Sequence, residues 1–220
     1  MTILLALAGI YAAMMIVRYG RRGLLAVAPG LVTSRSAAQG PPPTPAQQAA
    51  AALLLPLGFQ RLGARVEEGP LRGLTLRSES FANAEVAIFA DAFEAAPRES
   101  GVARVQLLTT FPDGASVVTA NHARAPRSGR LGEVAGLPGA GIDEVVAAHR
   151  STTARLTAAH GPPLPAHDLA GRGAAARAWY RGIGGVELRR RFAAYLANTL
   201  FASAVLAYCL VSLARSRSTP

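Results

Sequence analysis

The run from Phe192 to Leu213, FAAYLANTLFASAVLAYCLVSL, carries no charged residue. Its length meets the roughly 20 apolar residues that a helix needs to cross a bilayer's hydrocarbon core. Asn198, Thr199, Ser203 and Ser212 within it can bond inside a helix or to a neighbouring one. Arg189, Arg190 and Arg191 precede the run, and Arg215 and Arg217 follow it. The reading is a membrane-spanning helix.

A second uncharged apolar run, Ile3 to Val17, reads as a short first span. Its competitor is a cleaved signal peptide, because Ala26-Val27-Ala28 has the small-x-small form of a cleavage site. Three features favour an uncleaved anchor. No basic residue precedes the run, Arg18, Arg21 and Arg22 separate it from Ala28, and Pro29 would follow the cut. Arg18, Arg21, Arg22 and Arg35 follow the first span, whereas Arg172, Arg177, Arg181 and Arg189 to Arg191 precede the second. By the positive-inside rule, the region between the spans is cytoplasmic and both termini face outward. Gly9 and Ala13 on the first span, and Ala193 and Ala197 on the second, have a small-xxx-small spacing that lets helices approach.

The formal net charge is +10, and every one of the 23 basic residues is arginine. The arginine-only, alanine-rich usage is the bacterial-type composition of a high-GC genome. Between Gly58 and His160, eleven arginines meet eleven acids, so that region is neutral, and the excess lies beside the apolar ends. A nucleic-acid binder would show a basic face on the folded domain itself. Arginine beside apolar spans instead suits topology and anionic headgroups, so the expected partners are the lipid bilayer and a membrane or cytoplasmic protein, with no nucleic acid. The one cysteine, Cys209, lies inside the second span and excludes a disulfide framework or a paired-cysteine zinc site.

Residues 24–44 hold Pro29, Gly30 and Gly40-Pro41-Pro42-Pro43, the composition of an extended linker. Thr44 as N-cap and Pro45 at the first helical position open a helix through the alanines to Leu55, which Pro56 and Gly58 end. From Phe59, turn residues at Glu67 to Pro70, Ala82-Asn83, Pro97 to Gly101 and Pro112-Asp113-Gly114 divide the chain into about five strands. Within Ala84 to Phe93, Val86 and Ile88 are assigned to one face, and Glu85, Ala87, Phe89, Asp91 and Phe93 to the other. Phe111-Pro112-Asp113-Gly114 predicts a hairpin joining Val102–Thr110 to Ala115–Asn121. After a loop over Ala123 to Gly141, Ile142 starts a second helix with Asp143 and Glu144 in its first turn and Ile142, Val145, Val146, His149 and Leu156 on one side. Gly161-Pro162-Pro163 ends it.

The fold class is therefore α+β, an antiparallel β-meander of about five strands flanked by two helices over one face of the sheet, plus an N- and a C-terminal transmembrane helix. The expected organisation is an anchor with a basic flank (1–23), a linker (24–44), the α+β domain (45–161), a basic juxtamembrane segment (162–191), the second span (192–214) and a tail (215–220). Trp179, Ile183 and Val186, interspersed with arginines, give the juxtamembrane segment the pattern of an amphipathic stretch on the membrane surface. Arg18, Arg21, Arg22, Trp179 and Arg189, Arg190 and Arg191 are its membrane-interface residues.

The chain carries no P-loop, dinucleotide fingerprint, nucleophile elbow or HExxH. His122, at a strand end, and His149 are the catalytic candidates, each with a plainer reading as a loop or a core histidine. His160 suits a helix C-terminus, and a metal site from His160, His167 and Asp168 would require the proline-rich loop to fold back, so no metal and no cofactor is expected. Asn121, Arg124, Arg127 and Arg130 form a candidate surface for an anion or an acidic partner. These features favour a non-enzymatic protein of the cell (inner) membrane, in which a small cytoplasmic domain serves protein interaction or assembly. The alternative is a membrane-tethered enzyme or small-ligand sensor with a pocket between sheet and helices.

Overall fold

A computed structural model describes residues 2–37, 42–72, 74–93 and 104–217. The chain divides into two compact units, one formed by Met1–Leu31, Gly69–Leu74 and Val186–Pro220, the other by Val32–Glu68 and Thr75–Gly185.

The first unit is built on α1 (Thr2–Val27) and most of α5 (Ile183–Arg217). Both are long and apolar enough to cross a membrane. A Cβ on Gly23 would stand 3.2 Å from the Leu196 backbone, and one on Gly9 3.6 Å from Cys209, so hydrogen in place of a side chain lets the helices pack closely. Ala12, Ala202 and Cys209 are buried, and Arg22 donates to the Tyr195 hydroxyl at 3.0 Å while lying over its ring. The contact therefore uses Gly9 but not Ala193 or Ala197, which are exposed.

The second unit is a mixed α+β layer structure around one eight-stranded sheet in the order β1-β2-β3-β4-β5-β6-β8-β7. The strands are β1 (Thr33–Ser36), β2 (Gln60–Glu68), β3 (Thr75–Asn83), β4 (Ile88–Phe93), β5 (Arg104–Thr110), β6 (Ser116–Ala120), β7 (Arg127–Gly129) and β8 (Gly132–Gly136). Neighbours are antiparallel except β6 and β8, which are parallel. The expectation of about five antiparallel strands is thus corrected at three places. β1 lies in the stretch read as linker, and β7 and β8 lie in the stretch read as loop. Backbone pairing supplies what these polar, Gly-rich segments lack in apolar periodicity: Ser116 N–H donates to Leu131 O and Leu137 N–H to Ala120 O.

Local signals set the elements. Thr44 and Gln47 form a capping box at the start of α2 (Pro45–Leu54), with Pro45 at the first position. In the β5–β6 turn Gly114 takes a φ of +87°, Gly114 N–H donates to Phe111 O, and Asp113 Oδ1 accepts from Ala115 N–H at 3.0 Å. Glu144 accepts from Gly141 N–H at the start of α3 (Ile142–His160). The expected turn over Pro97 to Gly101 and the first residues of the hairpin at Val102 lie outside the described residues.

α2 and α3 cover one face of the sheet. Ala50 and Leu54 of α2 and Ile142, Val145 and Val146 of α3 meet Phe81, Ile88, Ala90, Ala92, Val105 and Leu107 in a dry core. The helices do not cover one face alone. α4 (Leu169–Arg181), N-capped by Asp168, lies on the opposite face against β1, β2 and β5. It comes from the segment expected on the membrane surface, and its Arg172, Trp179 and Tyr180 are buried within this unit. The reason is chemical: Arg172 has a carboxylate to meet, as described next.

Candidate functional site

Alternation along β2, β3 and β4 directs Arg65, Glu67, Ser78, Ser80 and Asp91 to the α4 side. Together with Arg172 they form a concentrated charged group, all of it buried. Arg65 donates four hydrogen bonds, from Nε to Ser80 Oγ (3.2 Å), from Nη1 to Ser34 Oγ (3.0 Å) and Glu67 Oε1, and from Nη2 to Ser78 Oγ (3.4 Å), and its Nη2 is ion-paired with Asp91 Oδ2 at 3.0 Å. Asp91 also accepts from Ser80 Oγ at 2.7 Å and from Nε (3.0 Å) and Nη2 of Arg172. Tyr180 donates its hydroxyl to Glu67 Oε2 at 2.5 Å. Two guanidiniums thus face two carboxylates, and α4 contributes one cation and one phenol.

The electrostatics bear on three of these groups, Asp91, Tyr180 and Arg65. Burial alone would raise the Asp91 carboxyl, but the Arg172 and Arg65 guanidiniums overcome it and hold the group down at about 2. Burial, then the negative charge of Glu67, pushes the Tyr180 phenol well above its ordinary value, so it remains a donor. Burial opposes the charge of Arg65, yet Asp91 and Glu67 leave its pKa raised. Asp91, Arg65 and Tyr180 therefore do not exchange protons near neutrality. The buried group ties the helix that leads into α5 onto the sheet, which is a structural lock rather than acid–base machinery.

The candidates read from the sequence are dispersed. His149 is fully buried beneath α3, between Thr109 Oγ1 at Nε2 and Thr119 Oγ1 at Nδ1, each 3.0 Å away. Thr109 gives its proton to Ala87 O, so it accepts from Nε2–H, and Nδ1 accepts from Thr119; the network assigns this tautomer. Burial pushes His149 down to about 3, leaving a neutral core histidine. His122 is half-buried in the bend after β6. Asn121 closes the end of β5, its Oδ1 accepting from Val105 N–H at 2.8 Å.

Arg124 donates to Gln106 Oε1 at 2.6 Å and lies over the Trp179 ring, on the α4 side of the sheet. Arg127 is half-buried in β7 and Arg130 is exposed in the following turn. His160 Nδ1 lies 2.7 Å from Asp113 Oδ2, while Asp168 caps α4. Among the described residues, no group of three or more His, Cys, Asp or Glu stands where it could hold a metal ion. Trp179, expected at the membrane interface, is sealed under Arg124. Arg18, Arg21, Arg22 and Arg189 to Arg191 are exposed in the helical unit.

The locked group escaped the sequence reading because its members are far apart in the chain. The only available signal was polar residues at alternate positions, Arg65-x-Glu67 around Val66 and Ser78-x-Ser80 around Glu79, and it was masked by the further polar residues of the same strands, Arg61, Glu68, Arg77 and Glu79. Compared with known proteins, the chain matches no family model, no curated protein and no solved structure.

Proposed function

We propose that the protein is a two-span protein of the cell (inner) membrane that carries its α+β domain on the cytoplasmic side, where the domain binds another protein or organises a membrane complex. The observation that carries this reading is the surface of the helical unit. Ile3, Leu4, Leu7, Ile10 and Val17 on α1, and Leu200, Phe201 and Leu210 on α5, are all more than half exposed. Such a continuous apolar surface is costly in water and at home in lipid. The small-residue contact at Gly9 and Gly23 is the packing that membrane helices use, and it gives α1 a partner that a cleaved leader would not need. The arginines at the ends of both spans that join the intervening chain support the cytoplasmic side.

The interaction role is supported by the way the domain spends its ionisable groups. Among the described residues, Arg65, Glu67, Asp91, Arg172 and Tyr180 are paired chiefly with one another and with Ser34, Ser78 and Ser80, only Arg172 Nη1 being left without a partner, and His149 is enclosed between threonines. The test is assembly of the full chain. Photocrosslinking from position 130 in intact membranes should give a discrete adduct heavier than one chain, and the complex should survive mild detergent. A chain that stays single in both experiments contradicts the assembly role.

A further inference from the structure

Besides the stripe that packs on α5, α1 carries a second, different stripe. Ile10, Ala13, Met14 and Val17 line a shallow apolar groove that ends on Arg18. These positions follow one another at helical spacing, and Arg21 continues the same stripe one turn on. The small side chain of Ala13 leaves the depression between its larger neighbours. From Ile10 to Val17 the groove runs about 10 Å along the helix, room for roughly the first eight methylenes of an acyl chain. Arg18 and Arg21 are exposed, and among the described residues no carboxylate pairs with either. Arg22, by contrast, turns to the Tyr195 hydroxyl and ring.

We propose that this groove is a binding site for one anionic phospholipid, its acyl chain along Ile10, Ala13, Met14 and Val17 and its phosphate held by the guanidiniums of Arg18 and Arg21. Charge complementarity selects the occupant. A second copy of α1 would bring the same two arginines against these, whereas a phosphodiester brings the opposite charge and matches the guanidinium fork in hydrogen-bonding geometry. The anionic leaflet facing the cytoplasm presents such headgroups at this depth. Glu187 is the acid nearest in sequence to Arg189, Arg190 and Arg191, which outnumber it three to one. The cationic character of this end is therefore retained.

The site rests on the two-span reading, and the test separates the two. Membranes are first washed at alkaline pH. Release of the chain by the wash overturns the spans and the lipid site together, while retention upholds the spans and leaves the lipid site to be judged alone. The full chain in mild detergent is then given dioleoylphosphatidylglycerol or dioleoylphosphatidylcholine at equal concentration, and retained lipid is counted by native mass spectrometry. The phosphatidylglycerol adduct should be favoured by about 30-fold, as two arginines at a headgroup warrant. R18Q/R21Q should abolish the preference, and A13L, which fills the groove, should reduce retention with the charges intact. R215Q/R217Q at the opposite end should leave it unchanged. Equal retention of both lipids overturns the site. So does an R18Q/R21Q protein that behaves like R215Q/R217Q, or an A13L protein that alters self-association but not lipid retention.

Discussion

Ile88, Ala90 and Ala92 of β4 face α2 and α3, whereas Asp91, one step out of phase, faces α4 and meets Arg65 and Arg172. The same strand thus serves two kinds of interface. On the α2/α3 face, removal of apolar area from water does most of the holding, with a few neutral bonds added, from His149 to Thr109 and Thr119 and from Gln47 Nε2 to Ala92 O. On the α4 face, helix position depends on particular hydrogen-bonding partners, because an unpaired guanidinium or carboxylate left there would carry its full desolvation cost. The first kind of interface tolerates hydrophobic exchange of similar volume. The second specifies the placement of α4, the helix from which the chain passes through Gly182 into α5.

The largest expected effect comes from breaking the charged face. Asp91→Ala leaves Arg65 and Arg172 buried against a single carboxylate and should destabilise the domain by about 3–5 kcal/mol. Urea unfolding followed through Trp179, the only tryptophan, reports it directly, because that ring lies between Arg124 and α4. An Asp91→Leu/Arg172→Met pair, which removes charge from both sides, should recover part of the loss.

Acid separates the two faces. His149 titrates at about 3 in the folded chain and near 6.5 when unfolded, so the unfolded state binds the extra proton between these values. Stability from this group is complete above about pH 6.5 and declines as pH falls toward 3, reaching a loss of about 2–3 kcal/mol by pH 4.5. Asp91 is depressed from about 3.9, so its contribution persists above that value and is lost only as pH falls toward 2. The apolar face should therefore be the acid-sensitive one down to about pH 4. His149→Gln should flatten the slope of stability between pH 6.5 and 4.5 while lowering stability at pH 7. A slope unchanged in that variant would assign the sensitivity elsewhere.

The smallest of these effects is at the α2 cap. Thr44→Ala removes the acceptor for Gln47 N–H and half of the capping box, at a cost of about 1 kcal/mol. Its melting temperature should fall slightly without altering the acid profile.

What could be read from the chain is what its neighbours along the chain decide. The Thr44-Pro45 start of α2, the Pro112-Asp113-Gly114 turn and both ends of α3 are encoded within a few residues of one another, and they stand where expected. Strand β1 and the β7–β8 pair gain their structure from partners elsewhere in the sheet. Gly132, with φ of +115°, gives little periodic signal, yet a Cβ there would stand 1.9 Å from Ser116 O. α4 was legible as an amphipathic segment but not in its destination. An apolar stripe studded with arginines suits a lipid surface as well as a sheet face, and only Asp91, far away in the chain, decides between them. Likewise, His149 on the inner side of α3 was readable from spacing, whereas Thr109 and Thr119, which enclose it, were not.

The placement of the domain is tested most directly by cysteine labelling in cells. The chain's one native cysteine, Cys209, is buried, and Ser128→Cys adds an exposed thiol in β7. A membrane-impermeant maleimide should leave the variant unlabelled in intact cells with a permeable outer layer and label it once the membrane is opened. Labelling of intact cells at the same rate as opened ones would put the α+β domain outside and contradict the cytoplasmic two-span arrangement.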